Sequence, residues 1–311
     1  MCQAICVKLN QKLTKRFFIM PTPSIATSAP SASSSQSVTF ALSYGDLFLT
    51  NFSQKFSSVD SDNQANTSAS ADGTTATVHN DAVVETSETE ALTFATSSAT
   101  GKNKNYFGFA ETHAIIVGNF FVDAGKNLSF NFTSALDLET SIYAPQGIES
   151  VSAVRDISFA LYDTSDVPER KLKDFLTNLL SEPNSIKKSR LVYFSVSGKL
   201  NSSDKDNFLK TQKSENVTLS TEFKDSLLEG NQKFASTLIR GSVKYSFNNQ
   251  ANVTLIALRT GEARVAAPET SRSLTLLSTP GSQVVPTEGR RPGAPSNRYS
   301  NRKVITYTVG N

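Results

Sequence analysis

The residues that could do chemistry are few. The 311-residue chain holds two histidines, His79 and His113. Glu111-Thr112-His113 sets a carboxylate and an imidazole two positions apart, on the same side of a strand and within reach of one metal ion. Zinc needs three or four such ligands, and no other ligand type is spaced to join this pair, so it reads as ordinary strand surface. Asp137 and Glu139 also share a side. Paired carboxylates are the apparatus of glycoside hydrolysis, but on an alternating strand they read as plain solvent-facing charges. Asp60-Ser61-Asp62-Asn63 has the oxygen-rich look of a calcium loop, yet it lacks the glycine and the bidentate glutamate of an EF-hand at the required spacing. A Ser-His-Asp triad is defined by geometry, and no nucleophile elbow marks one here. No Gly-rich phosphate loop, dinucleotide fingerprint or kinase motif is present. No catalytic, cofactor-binding or metal-binding residue is assigned, no cofactor is expected, and the reading is a non-enzyme.

Asn-X-Ser/Thr sequons begin at Asn51, Asn66, Asn127, Asn131, Asn201, Asn216 and Asn252. Such sequons mark exposed backbone in a glycosylating secretory pathway, but a chain this rich in Asn, Ser and Thr supplies several by chance.

The elements that must position these residues are strands. The organising stretch is Tyr106 to Tyr143. In its second half Leu128, Phe130, Phe132, Leu136, Leu138 and Ile142 share one parity. Ser129, Asn131, Thr133, Asp137, Glu139 and Ser141 share the other, so one face is apolar and the other wet. Asp123-Ala124-Gly125-Lys126-Asn127 reads as a short hairpin turn, with Gly125 free to take φ > 0. Earlier, Phe40, Leu42 and Tyr44 alternate, and Leu47, Leu49 and the Phe48/Phe52 pair suggest a second strand. Residues 57–76 read as a long polar loop, with short strands near Thr75–His79, Ala82–Glu85 and Ala91–Thr96. Ser97–Asn105 reads as another polar loop.

Val151, Ala153, Ile157, Phe159 and Leu161 give a further period-two strand. One amphipathic helix is expected near 167–181. Ser165 or Asp166 caps it, and Pro168 suits its first turn. Leu172, Phe175, Leu176, Leu179 and Leu180 form its stripe, and Pro183 stops it. Strands resume at Leu191–Ser197, Val217–Phe223, Ser236–Phe247 and Asn252–Leu258, with a last one near Ala263–Ala266. The fold class is therefore all-β: an antiparallel β-sandwich, with a jelly roll as the alternative.

Composition agrees. Trp is absent, Met is scarce, and Ser, Thr and Asn abound, a mix suited to strands with solvated outer faces. The formal charge of +3 hides an asymmetry: net −10 from Ser37 to Ser165 and net +9 from Asp166 to Asn311. The basic residues are scattered and not interleaved with aromatics, so no nucleic-acid partner is expected. Both cysteines, Cys2 and Cys6, lie near the N-terminus, which leaves no disulfide for the folded body. No run approaches the roughly 18 apolar residues that span a bilayer, so no transmembrane anchor is evident.

Three domains are read. Residues 1–36 are a degenerate signal-like or disordered leader, with a basic region (Lys8, Lys12, Lys15, Arg16) and a short apolar core, Phe17-Phe18-Ile19-Met20. Residues 37–267 are the sandwich. Residues 268–311, with Gly289-Arg290-Arg291-Pro292-Gly293, are a disordered basic tail.

Three segments carry a resemblance: Ser43-Tyr44-Gly45-Asp46-Leu47-Phe48-Leu49-Thr50-Asn51-Phe52-Ser53; Tyr106 to Ile142 with Gly118-Asn119-Phe120, Ala124-Gly125 and Phe130-Asn131-Phe132; and Ala251-Asn252-Val253-Thr254-Leu255-Ile256 running to Ala263-Arg264-Val265-Ala266-Ala267-Pro268-Glu269. From Ser37 to Glu269 the chain resembles exported cyanobacterial proteins of the PEP C-terminal sorting-signal (PEP-CTERM) type. The resemblance implies an exported, surface-associated β protein without assigned catalysis, linked to the envelope or extracellular matrix. In that family a Pro-Glu-Pro motif precedes a membrane helix and a basic end. Here Thr270 follows Pro268-Glu269, and the apolar run from Ser273 to Leu277 ends at Pro280-Gly281, a degenerate form of the signal.

The function expected is a structural or interaction role at the cell surface or in the matrix, with extracellular polysaccharide or other surface components as partners. The alternative is a carbohydrate-binding module, for which Tyr106, Tyr143, Tyr162, Tyr193 and Tyr245 are candidate aromatics. A glycan-cleaving enzyme would need two carboxylates converging in a cleft.

Overall fold

The central strand behaves as its alternation demands. In the computed structural model β6 (Asn127–Ser141) buries Leu128, Phe130, Phe132, Leu136 and Leu138 and turns Asn127, Asn131 and Glu139 to solvent. The structure describes residues 38–70, 75–85, 90–102, 106–143, 149–168, 190–267 and 303–308. The leader and most of the 268–311 tail lie outside these residues. So does the expected helix from residue 169 onward, with its whole apolar stripe.

Among the described residues thirteen strands form two antiparallel sheets, an all-β sandwich as the alternation predicts. The seven-stranded sheet contains β1 (Thr39–Thr50), β3 (Thr75–Glu85), β4 (Glu90–Gly101), β6, β10 (Val217–Leu227), β11 (Gln232–Ser246) and β13 (Lys303–Thr308). Its order is β10-β11-β6-β1-β4-β3-β13. The six-stranded sheet contains β2 (Ser58–Ser70), β5 (Tyr106–Val122), β7 (Ser150–Asp163), β8 (Arg190–Asn201), β9 (Phe208–Lys213) and β12 (Ala251–Ala267). Its order is β2-β5-β12-β7-β8-β9.

Several expectations need correction. The turn at Asp123–Asn127 is tight, with Gly125 at φ 72°, but it is not a hairpin. β5 pairs with β2 and β12, whereas β6 pairs with β1 and β11. The turn folds one sheet over onto the other, because each strand has one apolar face and the two faces bury each other. It is fastened to the equivalent β11–β12 turn: Gly125 N donates to Phe247 O at 2.7 Å, and Phe247 N donates to Lys126 O at 3.0 Å.

The polar stretch 57–76 is not a loop. Most of it is β2, which among the described residues is an edge strand paired with β5 alone. An edge strand needs little apolar surface, and here Ala65 and Ala69 suffice by packing on Ala110. Ser97–Asn105 is likewise not a loop throughout: β4 continues to Gly101, with Ser97, Ala99 and Gly101 buried. The short strands expected in 75–79 and 82–85 are one strand, and Ala263–Ala266 is the far end of the 17-residue β12.

Among the described residues the interior has three zones. The largest is apolar and rich in phenylalanine. Phe52, Phe56, Phe120, Phe130, Phe132, Phe159 and Phe194 form a continuous chain of ring contacts with centroids 4.6–5.5 Å apart. At the other end lies a smaller cluster of Ala41, Ala99, Tyr106, Val151, Ala263, Val265 and Ala267. Between them runs a polar layer built on two arginines, Arg155 of β7 and Arg259 of β12, both with no exposed surface. Arg155 Nε donates to Ser43 Oγ at 3.0 Å, Nη1 to Thr112 Oγ1 at 3.2 Å, and Nη2 to Ser43 O. Arg259 Nη1 donates to Gly45 O at 3.3 Å. The residues facing them are small, and a Cβ at Gly261 would fall on the Arg155 guanidinium.

Candidate functional site

The most site-like surface is the outer face of the seven-stranded sheet. Registry sets it out in rows. In one row Leu227 of β10, Phe234 of β11, Glu139 of β6 and Leu42 of β1 stand side by side. The next row holds Asp225, Ser236, Asp137 and Tyr44, and the next Phe223, Leu238, Ala135 and Asp46, followed by Phe94 of β4. Phe223, Leu227 and Phe234 are 54%, 49% and 37% exposed, while Glu139 and Asp225 are also open to solvent. Exposed apolar groups and carboxylates are therefore interspersed on one accessible sheet face. Rings on such a surface can stack on an apolar ligand face, and the carboxylates and hydroxyl between them can bond to hydroxyl or amide groups.

The acidic groups of this face are hydrogen-bonded. Tyr44 Oη donates to Asp46 Oδ2 at 3.0 Å, Ala135 N donates to Asp46 Oδ1 at 2.9 Å, and Ser236 Oγ donates to Asp137 Oδ1. Partial burial raises the carboxyls of Asp46, Asp137 and Glu139 above their ordinary range. For Asp46 the Tyr44 and Ala135 hydrogen bonds and the Arg259 charge beneath the sheet oppose that rise, while Asp137 adds to it. Burial likewise pushes the Tyr44 phenol up, and Asp46 pushes it further.

The other candidates are dispersed. Glu111 and His113 do project from the same side of β5, on the outer face of the six-stranded sheet. Burial lowers the His113 pKa, against the pull of Asp62 and Glu111. Among the described residues no group of three or more His, Cys, Asp or Glu side chains converges as a metal site would require. Asp60 and Asp62 bond within their own strand, accepting from Ser61 N at 2.8 Å and Asn63 N at 2.9 Å. His79 lies on β3, opposite Thr96.

The tyrosines do not form a platform. Tyr106 and Tyr162 are buried, and Tyr193 and Tyr245 are half-buried. Tyr143, 59% exposed, lies beyond the end of β6. Asn51, Asn66, Asn127, Asn131, Asn216 and Asn252 are exposed, and Asn201 is half-buried.

Phe223, Phe234 and Leu227 instead gather exposed apolar surface on this one face, and alternation alone did not single them out. In β10 Phe223 and Leu227 share the sequence parity of the buried Val217, and the register shift between Leu219 and Thr221 turns them outward. In β1 the alternating Phe40, Leu42 and Tyr44 are the outward set, while Ala41, Ser43 and Gly45 point inward. Comparison with protein-family models, with curated proteins and with solved structures returns no match.

Proposed function

We propose that this chain is an exported, non-enzymatic protein of the PEP-CTERM type, with a structural and interaction role at the cell surface or in the extracellular matrix. The observation that supports an interaction role is the outer face of the seven-stranded sheet, where Phe223, Leu227 and Phe234 stand open beside Asp137 and Glu139. Exposed apolar groups gathered on one face suit a contact surface. Its partners are extracellular polysaccharide or other surface components. The test is where the protein goes: surface protease shaving and fractionation of cells that make the full chain. Recovery in the envelope or medium is the expected result. Recovery only from the cytoplasm overturns the reading.

A second reading, a carbohydrate-binding module, is favoured by the same rows of rings and carboxylates, since sugar binding uses stacking on aromatic faces and hydrogen bonds to hydroxyls. Saturable binding of the purified chain to one class on a glycan array, lost in F223A and F234A, would establish it. A folded protein that binds nothing on the array would leave the structural role.

A further inference from the structure

We propose that the free edge of β10 pairs with β10 of a second copy, joining two sandwiches through one continuous sheet centred on Phe223. Among the described residues β10 ends its sheet, with β11 as its only strand neighbour. An unpaired edge presents a row of backbone donors and acceptors, and proteins usually blunt it with shortness, bulges or repelling charge. The other described edges with known side chains are blunted. β9 exposes Phe208 but has only six residues, with Lys210 and Lys213. β2 is polar throughout its exposed side, with Asp60 and Asp62. β10 has eleven residues and exposes Phe223 and Leu227. Its register shift lies between Leu219 and Thr221, which leaves Thr221–Leu227 regular.

The charges of that regular segment select a partner and a register. A two-fold pairing that keeps both outer faces on the same side matches each residue with one of equal parity. Centring it on Glu222 sets Glu222 against itself, and centring it on Lys224 or Asp225 sets like charges together in the same way. Like charges directly opposite each other disfavour pairing. Centring it on Phe223 places Glu222 opposite Lys224 of the second copy, twice, and sets the two Phe223 rings together. In the single chain Lys224 Nζ and Glu222 Oε1 lie 2.6 Å apart, an ion pair within one strand that the dimer would exchange for two between copies. The ring pair adds apolar burial on the outer face, beside Leu238.

The inference stands apart from the export reading, since it concerns self-association wherever the protein resides. The experiment is sedimentation equilibrium of the full chain over a concentration series, in reducing buffer so that Cys2 and Cys6 form no cross-links. The wild type should show a reversible monomer–dimer equilibrium. K224E, which places two glutamates opposite two others, should weaken it about tenfold or more. The charge swap E222K with K224E should restore it, and F223A should weaken it while leaving the far-UV spectrum unchanged. A wild type that stays monomeric throughout overturns the proposal. So does a dimer indifferent to both K224E and F223A, a swap that fails to restore pairing, or a monomer that pairs only with an unrelated strand-forming peptide.

Discussion

The two ends of the β1–β7 contact are built on opposite principles. Toward Leu47 and Leu49 the interior is filled by phenylalanines that touch ring to ring across both sheets. Toward Ser43 and Gly45 it is filled by guanidinium groups, hydroxyls and bare backbone. The aromatic zone contributes stability by burying large apolar side chains in defined ring pairs. The arginine layer has the reverse character. Taking a charge from water is costly, and burial pulls the Arg155 guanidinium down to about 9, so it remains protonated at neutral pH. Its guanidinium donates to a hydroxyl on each sheet and to one carbonyl. Such a layer adds little net stability. It requires Ser43 of one sheet to lie over Arg155 and Thr112 of the other, so it fixes how the sheets are stacked.

The largest test of that contrast is F159A. Phe159 meets Phe130, Phe132 and Phe194 at 5.4, 5.0 and 5.3 Å, and its loss should cost about 3–5 kcal/mol in chemical denaturation. G261A attacks the other zone by volume. Its methyl group would enter the space of the Arg155 guanidinium, which is held from both sheets, so about 1–3 kcal/mol should be lost. G261A combined with R155M should cost less than G261A alone, because the flexible methionine can move aside. S43A and R155M then separate charge from partner. S43A leaves a buried guanidinium short of an acceptor and should cost about 1–3 kcal/mol. R155M removes the charge itself and should be neutral or stabilising, by up to about 4 kcal/mol. R155M more destabilising than S43A would show that the arginine layer contributes to stability as the aromatic zone does.

The aromatic zone was legible in the sequence and the arginine layer was not, for a physical reason. Alternation of apolar and polar residues reports a buried face only when the buried residues are apolar. Phe130, Phe132 and Phe159 obey that rule. In the first half of β1 the inward residues are Ala41, Ser43 and Gly45, and the apolar parity of Phe40, Leu42 and Tyr44 is the outward one. Arg155 sits among Ala153, Ile157 and Phe159 on the buried parity of β7, so a charged residue in phase with a core face was the available sign. β2 was missed for a related reason: with only Ala65 and Ala69 to pack, its sequence matches that of a loop. The exposed face of β10 and β11 was hidden because neighbours across a sheet are set by strand order, which alternation does not encode.

The smallest effect tests whether the arginine layer reaches the outer face electrostatically. Asp46 lies on the outward parity of β1, next to Gly45, whose carbonyl accepts from Arg259. Burial holds Asp46 above the usual carboxylate range, and the Arg259 charge limits that rise. A carboxyl with a raised folded pKa favours the folded state when protonated. The stability from Asp46 and Asp137 is therefore fully present below the unfolded value of about 4 and is lost as pH rises through their folded values. D137N should flatten that decline in an acid-to-neutral denaturation series. R259M should move the Asp46 titration, followed by carboxyl NMR, to still higher pH by removing the opposing charge. F159A should leave that titration where it is, because its ring contacts are with other phenylalanines rather than with charged groups. An unmoved Asp46 in R259M would confine the arginines to a packing role inside the sandwich. An upward shift would make the interior charge a determinant of the acidity of the outer face, and so of the pH range over which that face offers its carboxylates to a ligand.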